Sequence, residues 1–186
     1  PDFMRELDGR LNEDYEVSLP LDASPVQFSS WMGGDRDGNP FVTSKVTEQV
    51  LLLARKRAAK LFAIDLDRLQ VELSMYDCND ALREKVGDAN EPYRALLRPL
   101  VDKFITTRDG ISDYLAGKNP DTSNWVESDD ELIEPLMLCY QSLLDCGMQV
   151  VANGLLLDTI RRARVFGIHL LRLDVRQDSE RHADVF

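Results

Sequence analysis

The residues best suited to chemistry form one short segment, Ser30 to Pro40, which reads Ser-Trp-Met-Gly-Gly-Asp-Arg-Asp-Gly-Asn-Pro. Three glycines, an asparagine and a proline fall within residues 33–40, which predicts a loop rather than a helix or a regular strand. A glycine-rich loop lets a ligand approach the backbone closely, and the planar guanidinium of an arginine binds carboxylate or phosphate. We therefore interpret Arg36 as part of an anion-binding loop that opens with Trp31.

A second charged segment lies far along the chain, where aliphatic and charged side chains alternate. The aliphatic positions are Leu171, Leu173 and Val175, and the charged positions are Arg172, Asp174 and Arg176. In a β-strand this alternation places the three charged side chains on one face. Two interpretations are open: an edge strand with a solvated face, or a barrel strand whose charged face points toward a polar interior.

The barrel interpretation gives the charged face a chemical role. Asp174 would lie between Arg172 and Arg176 and pair with both, so that no buried charge is left alone. Arg176 would lie at the C-terminal end of the strand, where barrel enzymes carry out their reactions. Arg36 and Arg176 could then converge to bind a phosphate or to stabilise an enolate.

The sequence offers little support for other kinds of site. Asp35, Asp37 and Asn39 alternate as in a calcium-binding loop, but the glycine and glutamate that complete an EF-hand are missing. No nucleophile elbow, P-loop or dinucleotide-binding motif is present. His169 and His182 are far apart and have no ligand-like neighbours, so we expect structural or surface roles for them and predict no metal site.

The remaining elements that must position these segments are mainly helical. Helical patterns and caps predict helices over residues 2–14, from Thr43 or Ser44 to about Ser74, from Asn79 to Gly87, from Pro92 past Tyr114, from Ser128 to about Cys146, and over 154–166. Pro99 is expected to kink its helix or to start a new one, and Asn153 is expected to cap the last helix. Extended segments are predicted at 25–31 and 168–177, and a weak surface loop near 117–127.

Bulk composition narrows the possible functions. The chain has 186 residues and a net charge of −11, which argues against nucleic-acid binding and against docking on anionic membranes. No apolar run reaches the ~18 residues of a membrane span. The odd number of cysteines without a C-x-x-C motif favours reduced thiols and a cytoplasmic location, and Cys139 and Cys146 are expected to be buried on one helix face. We interpret residues 1–186 as one internal fragment of a larger catalytic chain.

Several segments together resemble one enzyme family. The run from Ser30 to Thr43 looks like the glycine-rich loop of phosphoenolpyruvate carboxylase, and Arg172 to His182 is similar to that family's later strand motif, R-[LI]-D-[IV]-R-Q-[ED]-S-x-R-H. Further segments resemble the bacterial enzyme in the same order along the chain: 72–75, 91–94, 139–143 and 152–158. The resemblance therefore covers nearly the whole chain.

The resemblance implies a fold and a reaction. The chain would be a mainly α, helical piece of an α/β-barrel enzyme, with two or three short strands. That enzyme is a lyase that carboxylates phosphoenolpyruvate with bicarbonate, through carboxyphosphate and an enolate, and supplies oxaloacetate to the tricarboxylic acid cycle. It uses Mg²⁺ or Mn²⁺, needs no biotin, and is an allosteric, cytoplasmic homotetramer. The implied partners are therefore phosphoenolpyruvate, bicarbonate and the remainder of the same chain.

The resemblance also assigns roles to residues of this sequence. Arg176 matches a catalytic arginine that contacts the phosphate-bearing intermediate, and Trp31 matches a tryptophan of the apolar pocket near the substrate methylene. Arg36 and Arg172 belong to the same motifs and are predicted to bind substrate. A structural pairing of Arg36 with Asp35 or Asp37 is an open alternative for that residue.

Some parts of the family pattern are not found in these residues. The family's catalytic histidine, its metal-binding Glu and Asp and its essential lysine match no position here, and Phe41 stands where bacterial relatives often have Asn. We therefore expect the 186-residue chain to be inactive alone. The alternative is a non-catalytic helical interaction or regulatory domain in which both motifs are structural.

Overall fold

Helices dominate the structure, as the sequence predicts. The computed structural model describes residues 1–178, and its helices are α1 (Asp2–Tyr15), α2 (Ser44–Glu72), α3 (Asp80–Val86), α4 (Pro92–Leu115), α5 (Asp129–Asp145), α6 (Gln149–Val151) and α7 (Leu157–Phe166). A π-helical turn, Ala152–Leu156, joins the last two. Two short strands, β1 (Ser29–Ser30) and β2 (Arg172–Leu173), complete the described elements. The mainly α class with short strands is confirmed.

Local capping rules locate the helix starts well. The Thr43 hydroxyl accepts a hydrogen bond from the Val46 amide at the start of α2, and Asn79 caps α3 in the same way. Ser128 and Glu131 form a reciprocal capping box at the start of α5. These side chains satisfy amides that would otherwise lack partners in the first turn, so each helix begins where the sequence predicts.

Of the two outcomes expected at Pro99, a kink or a new helix, the new helix is not observed. Helix α4 continues through Pro99, because residues on both sides of the proline, such as Leu97 and Phe104, are buried in the same core.

The prediction that Asn153 caps a helix is wrong, because this residue lies within the turn Ala152–Leu156, where the chain kinks at Gly154 (φ −82°, ψ −132°). The side-chain oxygen of Asn153 instead accepts a hydrogen bond of 2.9 Å from the Tyr140 hydroxyl.

The extended segments are shorter than predicted. Strand β1 occupies two residues of the predicted 25–31, and β2 two residues of the predicted 168–177. Leu170 has a φ of 70°, in the left-handed region, so the chain cannot be extended just before β2. Each strand has only the other as a neighbour within the described residues.

The core lies mainly between α2 and α4, with α5 and α7 packed against it. The rings of Phe62 and Phe104 have centroids 5.8 Å apart between the two long helices. Leu66, Leu97 and Leu136 are fully buried around them. Burial of one such side chain stabilises the fold by about 1.5–3 kcal/mol.

The segment 117–127 has no regular secondary structure, but its end is anchored. Trp125 is only 7% exposed, and the Arg55 guanidinium lies 5.6 Å from the centroid of its ring. The neighbouring Val126 amide donates a hydrogen bond of 2.9 Å to the Thr107 hydroxyl. These contacts fix the chain just before α5 begins.

The cysteines are free thiols with different environments. Cys139 is fully buried, and burial raises the pKa of its thiol to about 12. Cys146 is only partly buried, so the prediction of two buried thiols holds for Cys139 alone. Among residues 1–178, no helix is both long enough and apolar enough to span a membrane.

Candidate functional site

The two charged segments of the sequence meet in the fold. Strands β1 and β2 are parallel, with Ser29 opposite Arg172, and an isolated bridge extends the pairing to Asp35 and Arg176. The interstrand amide-to-carbonyl bonds measure 2.9–3.1 Å and run from Arg172 to Phe28, from Asp174 to Ser30, from Arg176 to Gly34 and from Arg36 to Arg176. We call this set of bonds the ladder. It brings together residues 143 positions apart in sequence, such as Trp31 and Asp174.

Two glycines make this approach possible. A Cβ atom on Gly34 would lie 2.2 Å from the carbonyl oxygen of Asp174, closer than real atoms approach. Gly33 has a φ of +79°, and a Cβ atom there would lie 2.6 Å from Val50 of α2. The glycine pair therefore lets the loop fit between α2 and β2, which is a structural reason for its composition.

Trp31 and Arg176 lie in direct contact at the end of the ladder. The guanidinium carbon of Arg176 is 4.0 Å from the centroid of the indole ring, within the range of a cation–π interaction. The indole N–H donates a hydrogen bond of 3.1 Å to the Asp174 carboxylate. We call these three residues the Trp–Arg cluster; all of them are solvent-exposed in this chain, Trp31 by 54%.

The predicted pairing of Asp174 with both flanking arginines is not observed. Within residues 1–178, no ion pair joins Asp174 to Arg172 or Arg176. Arg176 lies over the indole ring, and Arg172 donates a hydrogen bond of 3.1 Å to the Gln27 side chain. The carboxylate is therefore left to accept the indole N–H, so this part of the interpretation is wrong.

Arg36 forms a hydrogen bond with Thr47 rather than with its acidic neighbours. Its guanidinium donates to the Thr47 hydroxyl at 3.1 Å, and that hydroxyl in turn donates to the Gly33 carbonyl at 2.7 Å. Among the residues described here, neither Asp35 nor Asp37 forms an ion pair with it; instead the Asp35 carboxylate accepts the Asp37 amide at 3.2 Å. The pairing of Arg36 with Asp35 or Asp37 is therefore not observed within the described residues, and its guanidinium bonds to Thr47 instead.

One atom of Arg36 has no partner. Its buried Nε has no hydrogen-bond acceptor among the described residues. The side chain also lines a shallow pocket of about 210 Å³ with Gly38, Asn39, Pro40 and Asp178. These observations leave the predicted role of Arg36 in substrate binding as a prediction, as they do that of Arg172.

The geometry of the Trp–Arg cluster suits anion recognition. An exposed guanidinium that stacks on an aromatic ring keeps its N–H edge free to donate two parallel hydrogen bonds to a carboxylate or phosphate. The ring also limits the orientations of the guanidinium, which reduces the entropy lost on binding. The site can therefore present one positioned cation beside an apolar aromatic surface.

Sequence patterns do not identify every residue of the site. Thr47 looks like an ordinary residue of a helical first turn, and Gln27 like a residue of an exposed segment. Neither has a feature that predicts its arginine partner, because both contacts depend on tertiary packing. The indole–Asp174 bond was missed for the same reason.

The described residues do not assemble a metal centre. Residues 1–178 contain no group of three or more His, Cys, Asp or Glu side chains placed to hold a metal ion. His169 is exposed at the surface. Residues 179–186, which include His182 and the end of the second motif, lie outside the described part of the chain.

Comparisons with known proteins extend along the full sequence. The family model described as phosphoenolpyruvate carboxylase matches residues 1–186. The sequence is 54% identical over 186 residues to phosphoenolpyruvate carboxylase from Aeromonas hydrophila and 55% identical over 184 residues to that from Pseudomonas putida. These alignments cover 99–100% of this chain but only 21% of each relative, so the chain spans about a fifth of the length of the curated relatives it matches.

Proposed function

The chain belongs to the phosphoenolpyruvate carboxylase family, and we propose that the complete protein converts phosphoenolpyruvate and bicarbonate into oxaloacetate and phosphate. The single observation that supports a catalytic role for this segment is the Trp–Arg cluster, because it combines a positioned cation with an apolar surface. Both features match what a small anionic substrate with an apolar methylene requires.

The proposed reaction has two bond-making stages. A bicarbonate oxygen attacks the phosphorus atom of the substrate, the bond from phosphorus to the enol oxygen breaks, and carboxyphosphate and the pyruvate enolate form. Carboxyphosphate then releases CO₂ and phosphate, and the methylene carbon of the enolate attacks CO₂ to form oxaloacetate. Each stage carries negative charge that a fixed guanidinium can stabilise.

Arg176 is proposed to contact the phosphate-bearing species during these stages. A charge-assisted hydrogen bond to a phosphate oxygen contributes about 1.5–3 kcal/mol, and a guanidinium can make two such bonds. The aromatic contact with Trp31 holds the guanidinium near one orientation before the substrate arrives. Arg36 and Arg172 are proposed as further substrate-binding residues, on the basis of their motifs.

Trp31 is proposed to cover the methylene carbon. Water that reached the enolate would protonate that carbon and give pyruvate in place of oxaloacetate. An indole ring over the carbon excludes water and strengthens the attraction between Arg176 and the oxyanion. Trp31 is half exposed in this chain, so we infer that other parts of the complete protein close the pocket.

The divalent metal that the family implies is not assigned to residues of this chain. Residues 1–178 offer no cluster of ligands for it. The identity of the metal as Mg²⁺ or Mn²⁺, the independence from biotin, the barrel architecture, the homotetramer, the allosteric control and the cytoplasmic location are proposals that rest on the family resemblance.

The substitution Arg176→Ala in the full-length enzyme tests the proposal. We expect kcat to fall by about 10²–10³-fold, the typical cost of removing one oxyanion-stabilising donor, while the melting temperature is unchanged because the side chain is exposed. Oxaloacetate formation is measured through coupled reduction by malate dehydrogenase. Arg10→Ala, at an exposed arginine of α1, is the matched control and should retain normal activity.

The opposite result would support a non-catalytic domain. In that case Arg176→Ala would lower the melting temperature and leave oxaloacetate formation normal. The isolated 186-residue chain gives a second test, since we expect no oxaloacetate from it under the same assay. Turnover by the isolated chain would show that the segment contains all the catalytic groups.

A further inference from the structure

We propose that Asp174 is a positioning residue, which orients the Trp31 ring through its hydrogen bond and thereby orients the guanidinium of Arg176. The inference rests on the proposed function, because it assigns a task within that same site. It concerns a carboxylate that the predicted mechanism does not otherwise use. Its basis is the chain of contacts from carboxylate to indole to guanidinium.

The indole ring of Trp31 is restrained by its hydrogen bond to Asp174. Trp31 is 54% exposed, so packing alone leaves its ring incompletely restrained. Tryptophan has a single hydrogen-bond donor, Nε1, on one edge of the ring. The 3.1 Å bond from this donor to Asp174 therefore fixes the edge and, with it, the plane of the ring.

The backbone that carries the Asp174 carboxylate is held by the ladder. The Asp174 amide donates to the Ser30 carbonyl at 2.9 Å, next to Trp31 in sequence. Its carbonyl lies so close to Gly34 that no side chain fits between them. The backbone at Asp174 is thus fixed relative to the backbone at Trp31, which makes the carboxylate a rigid reference point for the indole.

The indole ring in turn lies beneath the guanidinium of Arg176. The guanidinium carbon lies 4.0 Å from the ring centroid, so a rotated ring would no longer lie beneath it. A carboxylate that accepts the indole N–H also increases the electron density of the ring, which strengthens its attraction for a cation. Asp174 thus affects both the direction and the strength of the contact.

The competing explanation is that Asp174 only neutralises nearby arginines. The described contacts argue against it, because Arg172 bonds to Gln27 and Arg176 stacks on the ring, and neither forms an ion pair with Asp174. The two explanations differ for Asp174→Asn. Asparagine removes the charge but keeps a side-chain oxygen that can accept the indole N–H.

Kinetics of the full-length enzyme provide the main test. We expect Asp174→Ala to lower kcat/KM for phosphoenolpyruvate by about 10–100-fold, since small misplacements of a binding group have effects of this size. Asp174→Asn should recover activity to within about threefold of the parent, because geometry rather than charge is retained. Asp22→Ala, at an exposed aspartate outside the cluster, is the control and should behave as the parent enzyme.

A double substitution separates positioning from other effects. In a Trp31→Phe background the donor is absent, so Asp174→Ala should cause little further loss of kcat/KM. An equal loss in both backgrounds would overturn the proposal, as would full activity of Asp174→Ala in the parent enzyme. Equal losses for the Ala and Asn variants would favour the charge-neutralising explanation and would also overturn it.

A readout independent of turnover distinguishes this inference from the proposed function. We would label the enzyme with 5-fluorotryptophan and assign the Trp31 ¹⁹F signal by its loss in Trp31→Phe. Asp174→Ala should shift or broaden this signal, and Asp174→Asn should leave it close to the parent position. An unchanged signal in Asp174→Ala would overturn the inference, whereas absent oxaloacetate formation by the parent would overturn the proposed function.

Discussion

The side chains of the α2–α4 core and those of the strand residues joined by the ladder, which we call the edge, differ in where their partners lie. In the core, Phe104 is 1% exposed and packs on Phe62, so the partners of each side chain lie within the chain. At the edge, the ladder holds the backbone, but Trp31 is 54% exposed and Val175 60% exposed. The chain therefore fixes the backbone of the edge and leaves its side chains available to a ligand or to other parts of the protein.

The arginines show the same contrast. Arg161 of α7 is 4% exposed and pairs with Asp8 of α1 at 3.0 Å, and Arg162 pairs with Asp65 of α2 at 2.9 Å. Both arginines therefore connect helices through ion pairs. Arg176, by contrast, contacts an aromatic ring and is an exposed residue. Burial with an acidic partner marks a structural arginine, and exposure on a fixed ring marks a candidate binding arginine.

The largest expected effect on stability comes from the core. Phe104→Ala should lower the free energy of unfolding by about 3–5 kcal/mol, because it leaves a cavity against Phe62. Leu53→Ala, at a half-exposed position of α2, is the control and should cost far less. Urea unfolding of the two variants measures the difference. Similar losses would contradict the assignment of the core to the α2–α4 interface.

A smaller but decisive effect is expected where core and edge meet. Gly34→Ala places a Cβ atom against the Asp174 carbonyl and should destabilise the fold by about 1–3 kcal/mol, the usual cost of overpacking. Gly9→Ala in α1, where an added Cβ atom meets nothing within 4 Å, should be neutral or stabilising. Thermal unfolding measures both. A neutral Gly34→Ala would mean that the ladder is not formed as described.

The smallest expected effect concerns the attachment of Arg36. Thr47→Val removes the hydroxyl that joins Arg36 to the Gly33 carbonyl and should destabilise the fold by about 1 kcal/mol, the net value of a typical hydrogen bond. Thr106→Val, whose exposed hydroxyl bonds only to its own helix, is the matched control. If Arg36 binds substrate, the Thr47 variant should also raise KM for phosphoenolpyruvate. An unchanged KM would favour the structural role.

The features that were predicted correctly from the sequence depend on residues close together in the chain. The caps at Thr43, Asn79 and Ser128 depend on residues within one helical turn, and all three are observed. The mainly α class follows from the same local patterns. The family resemblance also linked the two motifs that the ladder brings together, although spacing alone does not predict which strands pair.

The failures share a different cause. Asn153 bonds to Tyr140, and Asp174 bonds to Trp31, so in each case a distant residue replaced the expected local partner. The strands were predicted too long because strand length depends on a neighbour that sequence patterns do not reveal. Tertiary contacts determine the side-chain partners at the site. The backbone of the site was therefore easier to predict than its side-chain hydrogen bonds.

A double-mutant cycle between Trp31 and Arg176 in the full-length enzyme tests most directly whether Trp31 positions Arg176 in the active site. We would measure kcat/KM for phosphoenolpyruvate in Trp31→Leu, Arg176→Gln and the double variant. We expect the loss of kcat/KM in the double variant to be clearly smaller than the two single losses combined. The coupling energy should be about 0.5–3 kcal/mol, because the two residues act as one unit. Strictly additive losses would contradict the claim that Trp31 positions Arg176 in the active site.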